Sequence, residues 1–174
     1  LLLRKDYPLL AALPLGYLTV KPHWAPVVFL ALLAGRHWKT LGAALATAIA
    51  LYLLSVLAFG VETWSAFLAQ LDSGFKLIPH LDVYDLVSPY SAVRPLHPGL
   101  ASAVQTACTL GSMVAVGWVW FRRRSLSTRA AVVAVALSLA SPYLHFYDLA
   151  VLGIAVAWLV RDALLRQDRW SALL

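Results

Sequence analysis

Apolar residues in this chain gather into long runs rather than alternating with polar ones, and the length of each run decides what it can be. A helix that crosses the hydrocarbon core of a bilayer needs roughly 17–25 mostly apolar residues. The runs Leu41 to Phe59 and Leu100 to Phe121 meet that requirement. Thr128 to about Phe146 predicts a third span, and Leu149 to Leu165 a fourth, short one. Two shorter runs come first, Pro8 to Val20 and His23 to Ala34. At ~1.5 Å of rise per residue each reaches only ~20 Å, so they predict two short helices joined at Lys21-Pro22, or a single kinked helix. The pattern as a whole predicts an all-α, polytopic transmembrane bundle of about six membrane segments, a single domain over residues 1–174.

The apolar runs are interrupted by the segment Val61 to Gly99. Loops of this length without structure are uncommon and are often functional. Its first part has helical periodicity: Trp64, Phe67, Leu68 and Leu71 recur at i, i+3, i+4 and i+7, with Glu62, Gln70 and Asp72 polar. This predicts an amphipathic helix ended by Gly74, either lying in the membrane interface or packed as a lid on neighbouring helices. Beyond it, Pro79, Pro89, Pro95 and Pro98 deny a long helix. Aromatic and polar residues are interleaved there. That composition suits a surface site for a ring-shaped polar ligand, and it equally describes an interfacial belt of Tyr and Trp.

Composition agrees with the pattern. The chain is 61% hydrophobic and only 13% charged, against about 25% charged in soluble domains, so lipid rather than a water-soluble core must take up its apolar surface. The net charge of +6 would suggest nucleic acid, but its placement argues otherwise. Lys and Arg collect on the cytoplasmic side of membrane proteins. With six segments, Arg4/Lys5, Arg36/Lys39, Arg122 to Arg129, and Arg161/Arg166/Arg169 all fall on one side, which is 11 of the 14 basic residues. A continuous N-terminal span would break that agreement. The expected location is therefore the inner or plasma membrane, multi-pass, with membrane lipid as a partner and no nucleic acid. Residues 61–99, the Lys21-Pro22-His23-Trp24 turn and the His145-Phe146-Tyr147-Asp148 turn then share the outer face. The single cysteine, Cys108, reads as a small buried hydrophobe. The sequence begins at Leu1, its one methionine is Met113, and it shows no signal peptide. It is expected to be an internal or C-terminal piece of a longer protein.

Ionisable groups at membrane depth are costly and are functional candidates. Lys21 sits at the break between two short helices, where an ammonium can snorkel to water or hold a phosphate. His23 can donate to the same anion. His145 and Asp148 are three residues apart and share a face if the helix continues, so that the carboxylate orients the imidazole. The alternative is that both cap a tight hairpin. Pro142 is expected to kink this stretch. Arg94 and His97 flank Pro95 and suit phosphate or sugar hydroxyls, or are ordinary surface charge. Asp82 and Asp85 form a weak candidate for a divalent cation; no metal is expected, and the chain has no glycine-rich phosphate loop, HExxH or CxxC.

Taken in order, several motifs resemble one known family. They are Gly16-Tyr17-Leu18-Thr19-Val20-Lys21-Pro22-His23, then Arg36-His37-Trp38-Lys39, then Phe59-Gly60 and Trp64-Ser65-Ala66-Phe67-Leu68, and finally Ser141-Pro142-Tyr143-Leu144-His145-Phe146-Tyr147-Asp148-Leu149. Together they resemble the C-terminal part of glycosyltransferase family 87, the DUF2029 family of polyprenol-phosphate-mannose-dependent mannosyltransferases. The resemblance implies a GT-C fold and transfer of a hexose, expected to be mannose, from a polyprenyl-phosphate donor to a hydroxyl of a glycan or glycolipid acceptor on the extracytoplasmic face. The lipid-linked sugar phosphate is the substrate, and no cofactor is implied. His145 and Asp148 would be the catalytic pair; Lys21, His23, Arg94, His97 and Tyr147 would bind phosphate or sugar. In this fold the base is typically an Asp in the first outer loop, a region this sequence does not contain, so the piece by itself is expected to be inactive. A transporter core, which also breaks helices at membrane depth, and a non-catalytic membrane scaffold are the competing readings. The clean spans disfavour the transporter: Leu100 to Phe121 holds only Gln105 and small hydroxyls.

Overall fold

The computed structural model describes residues 8–77 and 86–166. They form eight α-helices, with no strands among the described residues. The first two are short: α1 covers Pro8–Tyr17 and α2 covers Ala25–Ala34, separated by a 3-10 turn at Leu18–Val20 and the Lys21–Trp24 bend. The two-segment reading of this region holds. Two helices are long and apolar enough to cross a membrane, α3 at Trp38–Phe59 (22 residues) and α6 at Pro98–Phe121 (24 residues). Between them lie α4 at Val61–Leu77 and the five-residue α5 at Pro89–Val93. The chain ends with α7 at Leu126–Leu139 and α8 at Ala150–Arg166, joined through a second 3-10 turn at Phe146–Leu149.

Local chemistry sets these boundaries. Helix α5 opens with Ser88, whose hydroxyl accepts from Ser91 N, followed by Pro89 at the first helical position. Helix α6 opens the same way, with His97 Nδ1 accepting from Leu100 N at 3.1 Å and Pro98 next. Gly60 separates α3 from α4 at φ +81°, a conformation that glycine alone takes without strain.

Helix α2 lies at the centre. Its Val27, Val28, Ala31 and Leu32 are buried against Ala12, Ala44, Val116, Trp120, Ala136 and Leu137. Ala12, Ala31, Ala44 and Ala136 let the helices approach closely at these crossings, which is how helices gain packing in a lipid solvent that offers no hydrophobic drive between them. Gly16 shows the constraint most sharply. A Cβ there would stand 2.5 Å from Thr47 Cβ and 2.7 Å from the Ala44 carbonyl, so α1 and α3 touch only because position 16 has no side chain. Helix α3, by contrast, turns Ile49, Leu53 and Leu57 outward, a surface suited to lipid.

Two expectations are corrected. Gly74 does not end the amphipathic helix, since α4 continues to Leu77; one glycine costs a helix only ~1 kcal/mol. The third span does not run to Phe146 with a kink at Pro142 but stops at Leu139. The carbonyls of Leu139 and Ala140, which a longer helix would use internally, instead accept from Gln105 Nε2 (3.0 Å) and Thr109 Oγ1 (3.0 Å) on α6. Pro142 then has no helix to kink.

Candidate functional site

Polar groups collect at both ends of the bundle, and the first end is built on the break after α1. Lys21 N donates to Leu18 O at 3.0 Å and Trp24 N to Lys21 O at 2.9 Å. Pro22, which lacks an amide hydrogen, sits inside this turn. The turn projects the Lys21 ammonium onto the carboxylate of Asp148, 127 positions later in the sequence. Asp148 is buried, its side chain 4% exposed, while that of Lys21 is 36% exposed. A buried carboxylate needs such a partner. The ammonium also lies over the ring of Trp24 at 4.6 Å and faces that of Tyr147 at 5.0 Å. One cation thus joins the two turns that the sequence placed on the same face.

Two buried nitrogens beside this pair, His23 Nε2 and Trp24 Nε1, have no hydrogen-bond partner. Leaving a buried donor or acceptor unmade costs about 1–3 kcal/mol. His23 lies in the turn, outside the helices. Burial holds its pKa below the ordinary imidazole value; Asp148 opposes that shift, while Lys21 and His145 add to it. A neutral imidazole beside a cation offers a hydrogen bond to a ligand without adding charge.

The second turn is held from the side by the residues that precede α5. Val87 N donates to Leu144 O at 2.8 Å, and Leu86 pairs with His145 as an isolated antiparallel bridge. Ser91 Oγ donates to Leu86 O at 2.7 Å. Gln105, buried within α6, accepts from Tyr90 N at 3.1 Å and so ties α5 to the same carbonyl end of α7. Here the helical spacing argument for His145 and Asp148 is corrected. His145 is the extended residue before the 3-10 turn rather than part of a helix. Its ring stacks on Tyr147, with centroids 5.3 Å apart and planes at 17°, and the Asp148 carboxylate goes to Lys21.

Arg94 and His97 lie at the same end, at the α5–α6 junction. Arg94 is the half-buried C-cap residue that follows α5, and His97 is exposed with its Nδ1 engaged in capping α6. The contacts of Lys21 are to Asp148, Trp24 and Tyr147 and do not include either. Asp82 and Asp85 lie outside the described residues. Trp24 is the residue that sequence reasoning passed over; an indole three positions after a lysine in a helix break was the available signal.

Next to the Lys21 turn is an apolar cavity of about 470 Å³ between Val20, Pro22, Ala48, Tyr52, Trp64 and Phe67. Tyr52 and Trp64 meet edge to face at 4.6 Å, and the indole nitrogen of Trp64 is another buried group without a partner.

The opposite end carries the basic residues. Arg129 Nη1 lies 3.3 Å from His37 Nε2, Trp120 Nε1 donates to the Arg129 carbonyl at 3.1 Å, and Ser125 reaches Asp162 of α8. These contacts bring the starts of α3 and α7 and the ends of α6 and α8 together, and with them Arg36, Lys39, Arg122 to Arg124 and Arg161.

Compared with known proteins, residues 1–142 match the model of glycosyltransferase family 87. The Lys21 turn lies inside the matched region and the His145–Asp148 turn just beyond it. No curated protein and no solved structure matches.

Proposed function

The chain belongs to glycosyltransferase family 87, and from that membership we propose that the Lys21 end grips the phosphate of a polyprenyl-phosphate sugar, a hexose and by resemblance mannose, for transfer to an acceptor hydroxyl on the extracytoplasmic face. The observation that carries this reading is the Lys21–Asp148 contact with the unpartnered His23 and Trp24 nitrogens beside it. In such a transfer the bond between the anomeric carbon and the phosphate oxygen breaks. The acceptor oxygen bonds to that carbon, and a base takes the acceptor proton. Negative charge builds on the departing phosphate, where fixed cations and N–H donors lower the barrier most. Lys21 supplies the charge, and His23 and Trp24 supply N–H groups whose desolvation is already complete. Asp148 fixes the ammonium in place, and the stacked His145 and Tyr147 rings offer a flat, partly polar wall suited to a sugar. The cavity beside Pro22 suits the first isoprenoid units. Among the described residues, Asp148 is the carboxylate in this cluster.

The multi-pass arrangement in an inner or plasma membrane, with the arginines cytoplasmic, belongs to the same proposal. It is tested with the full-length protein, by measuring sugar transfer from a polyprenyl-phosphate hexose and from nucleotide sugars. The expected result is transfer from the lipid donor alone, lost in Lys21→Ala, His145→Ala and Asp148→Ala. Unchanged transfer in all three variants would remove the site assignment. Absence of transfer by the wild type from any lipid donor would favour a transporter or scaffold.

A further inference from the structure

At the arginine end, the Arg129 guanidinium meets no carboxylate among the described residues. Arg129 spreads its guanidinium near the face of Trp120, 5.0 Å from the ring centre, and Trp120 in turn donates to the Arg129 carbonyl. Arg129 is therefore held in place from both sides. Its Nε is buried and has no hydrogen-bond partner. Its Nη1 meets His37 Nε2, which must accept if Arg129 donates. His37 sits before α3, edge-on to Trp120 at 5.8 Å. Burial, then the charges of Arg129 and Arg123, hold its pKa below the ordinary value, so it stays neutral and brings no compensation.

Among the described residues, no carboxylate contacts the Arg129 guanidinium, whose partners are His37 and the Trp120 ring. Among the described side chains, Glu62 and Asp148 are at the other end of the bundle, and Asp162 approaches Ser125 on the α8 flank. The Lys21–Asp148 ion pair lies at the distant end. Further positive charge surrounds the site instead. Arg123, the residue after the C-cap of α6, adopts φ +48°, with its N–H bonded to Trp120 O at 3.1 Å. Glycine is the usual residue at that helix-end position. Arg122 lies over Trp118 at 4.3 Å. Paired Trp and Arg side chains at helix ends mark the depth of lipid headgroups.

We propose that Arg129 and Arg123, lined by His37 and Trp120, form a binding site for the phosphate of an anionic phospholipid headgroup. The phosphate oxygens would accept from Arg129 Nε and its free guanidinium N–H groups, in the bidentate manner that suits arginine, and from Arg123. Basic pockets between membrane helices at headgroup depth have this chemistry. The inference does not depend on the sugar-transfer reading, because it uses none of the residues at the Lys21 end.

The test is native mass spectrometry of the delipidated full-length protein titrated with phosphatidylglycerol or phosphatidylcholine, followed by thermal melting in the same lipids. The expected result is ~5-fold preferential retention of phosphatidylglycerol, about what one basic residue contributes near an anionic surface, and a matching rise in melting temperature. Arg123→Gln and Arg129→Gln should each reduce the preference toward unity, while Arg161→Gln leaves it intact. Arg123 is exposed, so that variant decides the matter even if Arg129→Gln does not fold. Equal retention of the two lipids, or a preference that survives Arg123→Gln, overturns the proposal. So does displacement of the lipid by millimolar inorganic phosphate, which would assign the site to a soluble anion.

Discussion

The two ends of this bundle use the same parts to different effect. Each sets a cation over a tryptophan ring, Lys21 over Trp24 at 4.6 Å and Arg129 over Trp120 at 5.0 Å. Each places a half-buried neutral histidine beside it, His23 at one end and His37 at the other. At the first end a buried carboxylate, Asp148, holds the cation; at the second no described carboxylate does. The difference teaches what each end can do. A compensated cation is cheap to hold and keeps its place at membrane depth, which suits a site that must meet a reacting phosphate in a fixed geometry. An uncompensated cation is costly to hold unless an anion arrives, which suits a lasting contact with lipid.

The largest effect is expected from breaking the compensated pair. Lys21→Ala should lower sugar transfer by ~100-fold or more in the full-length protein, the scale seen when a donor to a developing charge is removed. It should also cost ~2 kcal/mol of stability, because it strands a buried carboxylate; the figure is reduced from that of a fully buried pair because Lys21 is partly exposed. Asp148→Asn should destabilise less, since the ammonium can reach water. The exchanged pair Lys21→Asp with Asp148→Lys sharpens the point: melting temperature should recover while transfer does not, read by calorimetry and a sugar-transfer assay.

Next is Gln105→Leu, which removes the amide that holds Tyr90 N and Leu139 O. A loss of ~2 kcal/mol is expected. Faster amide hydrogen exchange should be confined to the Lys21 end, over α5 and residues 140–149, with α3 near His37 unaffected. Gly16→Ala should cost ~1–2 kcal/mol, as overpacking does, because α1 and α3 have no space for the methyl group.

The smallest effect divides between the ends. His23 and His37 both have folded-state pKa values below the usual 6.5. The folded protein therefore resists a proton that the unfolded chain accepts. Their contribution to stability is present above pH 6.5 and is lost as pH falls below it toward the folded values. Melting temperature should drop between pH 7 and pH 5. His23→Gln and His37→Gln should each remove part of that slope, and the double variant more.

The long helices were legible because α3 and α6 owe their existence to apolar length, which is written locally. The break at Lys21-Pro22 was legible for a similar reason: a proline after a short run, with charge that needed a turn there. The end of α7 was not, because the groups that take its last carbonyls, Gln105 and Thr109, lie more than thirty positions away. The same physics hid the site. Local spacing assigned Asp148 to His145, three residues off, whereas folding gave it Lys21 from the far end of the chain. The His37–Trp120–Arg129 cluster was likewise invisible, since in sequence those arginines read only as orientation signal.

The central claim is that Lys21 grips the donor phosphate, and binding of the leaving group tests it without requiring turnover. Polyprenyl phosphate and uncharged polyprenol should be titrated against the full-length wild type and Lys21→Ala in matched nanodiscs. The account predicts that Lys21→Ala weakens polyprenyl phosphate by ~10-fold or more, about 1.4 kcal/mol, and leaves polyprenol unchanged. Equal affinity of wild type and Lys21→Ala for polyprenyl phosphate would contradict it.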